Sequence, residues 1–196
     1  RSCNPWFYQI GLSLHNWADY FLPDMARGFG LGVPTGIVGL QQDTNEEVGG
    51  LLPSAEWAAA AGLLWTPANT VHMAIGQGEI AVTPIQMAQL YAAIGNGGTL
   101  YRPQLVHSIA APGEDPVFEF QSDAVATLPV SQTTLAAVRK GLWQVVNERS
   151  GTANYRFRDL DIPVSGKTGT AEDRPRKPHA WFVGFTDAGE IGRAHV

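Results

Sequence analysis

Ser165-Gly166-Lys167-Thr168-Gly169-Thr170-Ala171-Glu172 follows directly on the apolar Ile162-Pro163-Val164. A lysine, two hydroxyls and a glycine on one strand suit acyl transfer to or from a substrate that carries a carboxylate. Lys167 supplies a cation, Thr168 a hydroxyl, and Gly169 lets a substrate backbone approach the strand edge. Thr170 adds a second hydroxyl and a backbone N–H suited to an oxyanion hole. At the other end, Ser2-Cys3-Asn4 precedes an apolar helical pattern. A serine there can relay a proton and the amide of Asn4 can hold a substrate carbonyl. Each motif also has a plain structural reading, as a polar strand end and a helix N-cap, so their order and separation carry the argument. A Ser-x-x-Lys, which would present an activated nucleophile, does not occur: no serine has a lysine three positions on.

Composition narrows the setting. With 196 residues, 44% of them apolar and 16% charged, the chain can bury a core of its own. A net charge of -5 gives no basic field, so nucleic acid is not an expected partner. The single cysteine, Cys3, excludes an internal disulfide and a cysteine-based zinc cluster. His15, His72, His107 and His179 lack metal-ligand spacing, and neither a metal nor a cofactor is expected. His72 and His179 stand nearest the motifs. No apolar run is long enough to cross a membrane, so an anchor would lie upstream of Arg1. The sequence reads as one partial domain over residues 1–190, followed by a non-native tail over 191–196. A domain cut at both ends is expected to be marginal or aggregation-prone.

The elements that must position these residues can be read from caps and periodicity. Asn4-Pro5 predicts a helix N-cap and first residue, with Trp6, Phe7, Ile10 and Leu14 on its apolar face. A second helix is expected from Pro23 to the glycines at 28, 30 and 32. Residues 33–70 read mostly as loop, with a helical patch from Ala55 to Leu63. Thr83-Pro84 predicts a helix ending at Asn96-Gly97-Gly98, and Ser131 caps an amphipathic helix through Leu135, Leu142 and Val146. Short strands are expected at 99–101, 104–109 and 117–120. Two longer ones, 162–168 and 180–185, flank the polar Glu172 to Pro178 loop. The fold class is therefore α+β, helices packed on an antiparallel sheet with Lys167 on one edge.

Ser2-Cys3-Asn4, Phe29-Gly30-Leu31-Gly32 with Pro34-Thr35-Gly36-Ile37, Ala74-Ile75-Gly76-Gln77-Gly78, Thr83-Pro84-x-Gln86, Asn96-Gly97-Gly98, Gly151-Thr152-Ala153 and Gly166-Lys167-Thr168-Gly169-Thr170 occur in that order. In this the chain, up to about Phe185, resembles the class B penicillin-binding proteins, of the elongation, penicillin-binding protein 2-like type. Ser-x-x-Lys and Lys-Thr-Gly belong to the signature of the wider superfamily. The resemblance implies a serine beta-lactamase-like transpeptidase fold and a peptidoglycan D,D-transpeptidase working through a serine acyl-enzyme. Ser2 and Lys167 would shuttle protons. Asn4 would orient the acyl chain, and Thr168, Gly169 and Thr170 would hold the terminal carboxylate. Ile75 to Pro84 would support the site from behind, with Gln77 not catalytic. Implied partners are peptidoglycan stem peptides, beta-lactams and a membrane glycosyltransferase, on the extracytoplasmic side of a membrane that anchors the parent. Without Ser-x-x-Lys, the chain alone is expected to form no acyl-enzyme. A beta-lactamase or beta-lactam sensor remains a rival reading, as does a non-catalytic peptidoglycan-binding or cell-shape scaffold.

Overall fold

The computed structural model describes residues 2–37, 47–173 and 175–187. The expected tail at 191–196 and Arg174 of the polar Glu172 to Pro178 loop lie outside the described residues.

Helix α1 spans Asn4–Trp17, with Cys3 as its N-cap and Pro5 in the first turn. The helix thus opens one residue earlier than the Asn4-Pro5 pair predicts, which leaves the Asn4 side chain out of the capping position. Helix α2, Phe21–Gly28, likewise begins before Pro23, and proline is tolerated there because first-turn N–H groups have no intrahelical partner. The stretch expected to be mostly loop holds two short helices, α3 over Ala55–Ala60 and α4 over Pro67–Met73. Ser54 Oγ caps α3 by accepting from Trp57 N at 3.1 Å. At the head of α4, Asn69 Oδ1 accepts from both the backbone N–H and the hydroxyl of Thr66, at 3.0 and 2.7 Å.

Helix α5, Pro84–Gly95, starts on a reciprocal cap. Gln86 N donates to Thr83 Oγ1 at 3.3 Å while Thr83 N donates to Gln86 Oε1 at 2.9 Å. Gln86 is 1% exposed, and its Nε2 also donates to Val33 O at 2.7 Å and Gly49 O at 2.8 Å. One side chain therefore fastens both Val33 and Gly49 to the helix. Glu47 holds Thr35, Gly36 and Ile37. Its carboxylate accepts from Thr35 N and Oγ1, both at 2.6 Å, from Gly36 N at 2.9 Å and from Ile37 N at 3.3 Å.

The remaining elements are β1 (Thr99–Tyr101), β2 (Ser108–Ile109), β3 (Phe118–Glu119), β4 (Ala124–Thr127), α6 (Gln132–Asn147), α7 (Asn154–Phe157), β5 (Val164–Ala171) and β6 (His179–Thr186). The strands expected at 104–109 and 117–120 shorten to two residues each, and β4 and α7 have no counterpart in the sequence reading. Among the described residues the strands pair as three antiparallel ladders, β1 with β4, β2 with β3 and β5 with β6. The long one runs in unbroken register from Val164 opposite Thr186 to Ala171 opposite His179.

Two apolar clusters hold these parts together. Ala93, Ile94, Leu100, Leu128, Leu135 and Leu142 join α5, β1 and α6, with Phe185 of β6 packed against them. Leu31, Leu52 and Met73 join the region after α2 to α4. Each fully buried leucine contributes about 1.5–3 kcal/mol relative to exposure. A Cβ on Gly95 would come within 3.0 Å of the Phe185 ring, so α5 approaches β6 only because that residue is glycine. The β5–β6 ladder is thereby fixed between α5 and α6.

Candidate active site

Successive residues of a strand direct their backbone groups alternately to its two edges. Thr170 O accepts from Gln77 Nε2 at 2.8 Å, Glu172 N donates to Gln77 Oε1 at 3.2 Å, and Val164 O accepts from Asn147 Nδ2 at 2.9 Å. These three positions share one parity, so their polar groups face away from β6. Gly166 and Thr168 share it too. The edge of β5 opposite β6 is thus held at both ends by amide side chains, with Gly166 to Thr170 between them.

Lys167 sits at the middle of this strand, partly buried. Its Nζ donates to Thr168 O at 2.7 Å, on the same edge. Burial pushes the Lys167 ammonium below its ordinary lysine value. Its side chain lines a cleft of about 340 Å³ against α6 and the turn after it, with Val138, Gly141, Val145, Glu148 and Gly151. The Thr168 hydroxyl lies 2.9 Å from that of Thr152 in the turn before α7. Gly169 and Thr170 are exposed.

The two glycines of this run differ in what requires them. A Cβ on Gly166 would fall 2.6 Å from Phe182 Cζ and 2.7 Å from Val183 O, so the ladder itself demands glycine. A Cβ on Gly169 would meet only Trp181 Cβ, at an ordinary 3.4 Å. Nothing inside the fold needs Gly169 to lack a side chain.

Ser2 and Asn4 are both exposed, at the start of α1. Neither lines the Lys167 cleft, and no hydrogen bond among the described residues joins either to β5. The path between the two motifs runs through α4. Helix α1 lies so close to α4 that a Cβ on Gly11 would come within 2.8 Å of Ala74 Cβ. The contact is pinned by Thr70, which is fully buried: its Oγ1 lies 3.0 Å from His15 Nδ1 and accepts from Trp65 Nε1 at 3.0 Å. His15 is thus the histidine built into the framework, whereas sequence position favoured His72 and His179. His179 Nε2 lies 3.2 Å from Asp173 Oδ2 in the exposed β5–β6 turn, where Arg176 also pairs with Asp173.

Sequence reasoning placed Lys167 and Thr168 on a strand, which runs on through Ala171, and the resemblance implied support from Ile75 to Pro84; it did not give the contacts that hold the strand, those of Gln77, Asn147 and Thr152. Thr152 stood in a motif already singled out, and Gln77 between two glycines, yet their partners lie 16 and 93 residues away. No local pattern reports such pairings.

Residues 1–191 match the family described as the penicillin binding protein transpeptidase domain. The chain is 28% identical to the peptidoglycan D,D-transpeptidase MrdA of Haemophilus influenzae, over 94% of its own length and 30% of that protein's. Among solved structures, a complex between a penicillin-binding protein (PBP2) and MreC from Helicobacter pylori superposes with a TM-score of 0.74 at 27% identity, covering 93% of this chain and 31% of that one. An imipenem acyl-enzyme complex of penicillin-binding protein A from Mycobacterium tuberculosis gives a TM-score of 0.70 at 27% identity, covering 94% of this chain and 37% of that one. The chain therefore spans about a third of the length of the relatives it matches.

Proposed function

The chain belongs to the penicillin-binding protein transpeptidase family, and from that premise we propose that it forms one wall of the acyl-transfer cleft of a peptidoglycan D,D-transpeptidase. The observation that carries the proposal is the edge of β5: a run held at both ends by amide side chains, with a desolvated lysine, two hydroxyls and a glycine that the fold does not need.

In this reading a serine hydroxyl on a Ser-x-x-Lys segment outside this chain adds to the penultimate D-Ala carbonyl of a stem peptide. Its proton passes to a neighbouring lysine. The tetrahedral oxyanion is met by the Thr170 N–H, a donor already fixed in position before charge develops. Collapse breaks the C–N bond, and the departing D-Ala amine takes a proton relayed through Ser2 and Lys167. An amine from a second stem then attacks the ester, the C–O bond breaks, and the serine regains its proton.

Lys167 suits this relay because burial lowers the cost of its neutral form. Thr168 and Thr170 hold the substrate carboxylate by hydroxyl donation, and the open face of Gly169 admits the peptide backbone beside the strand. Asn4 holds the acyl chain amide. Beta-lactams acylate the same upstream serine. The parent protein works on the extracytoplasmic side, anchored by a segment outside this chain, beside a membrane glycosyltransferase. No helix among the described residues is long and apolar enough to cross a membrane.

Labelled penicillin tests the division of labour between this wall and the missing serine. The chain alone is expected to take no covalent label, and the chain extended upstream through its Ser-x-x-Lys is expected to take one per molecule. A stoichiometric adduct on the chain alone would place the nucleophile elsewhere. An extended chain that binds peptidoglycan and takes no label would favour a scaffold.

A further inference from the structure

We propose that Gln77 is a positioning residue for acyl transfer, its amide fixing the end of β5 on which the Thr170 N–H is carried. This rests on the transpeptidase reading and adds to it a residue from outside the Lys167 to Thr170 run.

Three observations converge on Gln77. Its side chain makes two hydrogen bonds to one strand end, donating to Thr170 O at 2.8 Å and accepting from Glu172 N at 3.2 Å. Both groups lie on the edge that faces away from β6. A primary amide aligned along a strand edge in this way supplies the donor and the acceptor that a neighbouring strand would have supplied, so it fixes the local backbone without adding a strand.

The backbone that carries the amide is itself locked. Gly76 and Gly78 have φ of +73° and +84°, a region that other residues enter only with strain. A Cβ on Gly76 would meet nothing within 4 Å, so its glycine is explained by conformation and not by space. Gly76 N donates to Met73 O at 2.9 Å and Gln77 N to His72 O at 3.0 Å, which closes the turn onto the end of α4. On the far side of the turn, Glu79 Oε1 accepts from Asn69 Nδ2 at 3.2 Å. The two glycines and these bonds aim one side chain at one spot.

The anchor behind the turn is rigid. Helix α4 is held against α1 by the fully buried Thr70 and by the close contact at Gly11. Gln77 therefore ties the strand that carries Lys167 and Thr170, through α4, to the helix that begins at Asn4, just after Ser2. Both of its bonds are exposed to solvent, so they add little to the stability of the fold. Their consequence is geometric: an oxyanion donor displaced by a fraction of an ångström loses catalytic effect before it loses its fold.

The test uses the chain extended through its Ser-x-x-Lys, with penicillin acylation resolved into a dissociation constant and a first-order acylation rate. Gln77→Ala is expected to slow the acylation step about tenfold, with the dissociation constant within about twofold and the thermal midpoint unchanged. Gln77→Met keeps the length and bulk but neither hydrogen bond, and is expected to match alanine. An acylation rate equal to wild type in Gln77→Ala, or full activity in Gln77→Met, would overturn the positioning role and leave the transpeptidase reading standing. A parallel fall in rate and thermal midpoint would make Gln77 a structural residue only, and overturn it too. An extended wild-type chain that takes no label would remove the transpeptidase reading and this inference with it.

Discussion

Gln86 and Gln77 are the same side chain at two ends of one short segment, and each bridges parts of the chain far apart in sequence. Gln86 is 1% exposed, and its amide is consumed by the α5 cap and by the carbonyls of Val33 and Gly49. Gln77 makes its two bonds in solvent, to the end of β5. Burial decides what each bond is worth. A buried carbonyl robbed of its donor costs about 1–3 kcal/mol, whereas an exposed one turns to water. The first amide holds the fold and the second holds the end of β5.

The widest separation is expected in denaturant unfolding. Gln86→Ala takes the donor from two partly buried carbonyls and removes a cap, and is expected to cost about 2–3 kcal/mol. Gln77→Ala is expected to cost less than about 1 kcal/mol. Equal losses would erase the distinction. The two glycines of β5 repeat the comparison at smaller scale. Gly166→Ala forces a Cβ against Phe182 and the Val183 carbonyl and is expected to cost about 1–3 kcal/mol. Gly169→Ala is expected to unfold like wild type while weakening penicillin acylation of the extended chain. Loss of stability in both would mean that Gly169 too is demanded by the ladder.

Two ionisable groups extend the contrast to pH. Burial raises the Glu47 carboxyl, but the Thr35 hydroxyl and the N–H groups of Thr35, Gly36 and Ile37 outweigh it and hold the group below 4.5. Its stabilising effect is complete above that unfolded value and is lost as pH falls through the lower folded one. Urea unfolding of wild type should therefore weaken on acidification below 4.5 by more than that of Glu47→Gln, and parallel curves would contradict the cradle. Lys167 has the opposite sense. Its folded value lies below 10.5, so the desolvated ammonium costs stability at neutral pH, and the cost fades as pH rises towards the unfolded value. Lys167→Met is expected to be slightly more stable at neutral pH, with the difference shrinking on alkaline titration. A constant difference would show that Lys167 is not desolvated.

What the sequence revealed follows the same division. Thr83-Pro84-x-Gln86 and Ser131 announce their helices because a cap is a local event, closed within a few residues. Thr66-Pro67-Ala68-Asn69 carries the same spacing and marks α4 as plainly, but its setting among glycines and prolines reads as loop. Strands β5 and β6 were legible from their apolar and β-branched runs, while β4, exposed at every residue, has no alternation to reveal it. The residues of the candidate site were legible as chemical types. The resemblance implied that Ile75 to Pro84 backs the site, but the contacts themselves were not legible, because Gln77, Asn147 and Thr152 act through tertiary pairings that leave no period in the sequence.

The central claim is that the edge of β5 is a wall of an acyl-transfer cleft, and Lys167 tests it most directly. Penicillin acylation should be timed by intact-protein mass in the extended chain and in its Lys167→Ala variant. The account predicts one adduct per wild-type molecule and a variant slower by about 10²–10⁴-fold while still folded. A folded variant that acylates as fast as wild type would contradict it.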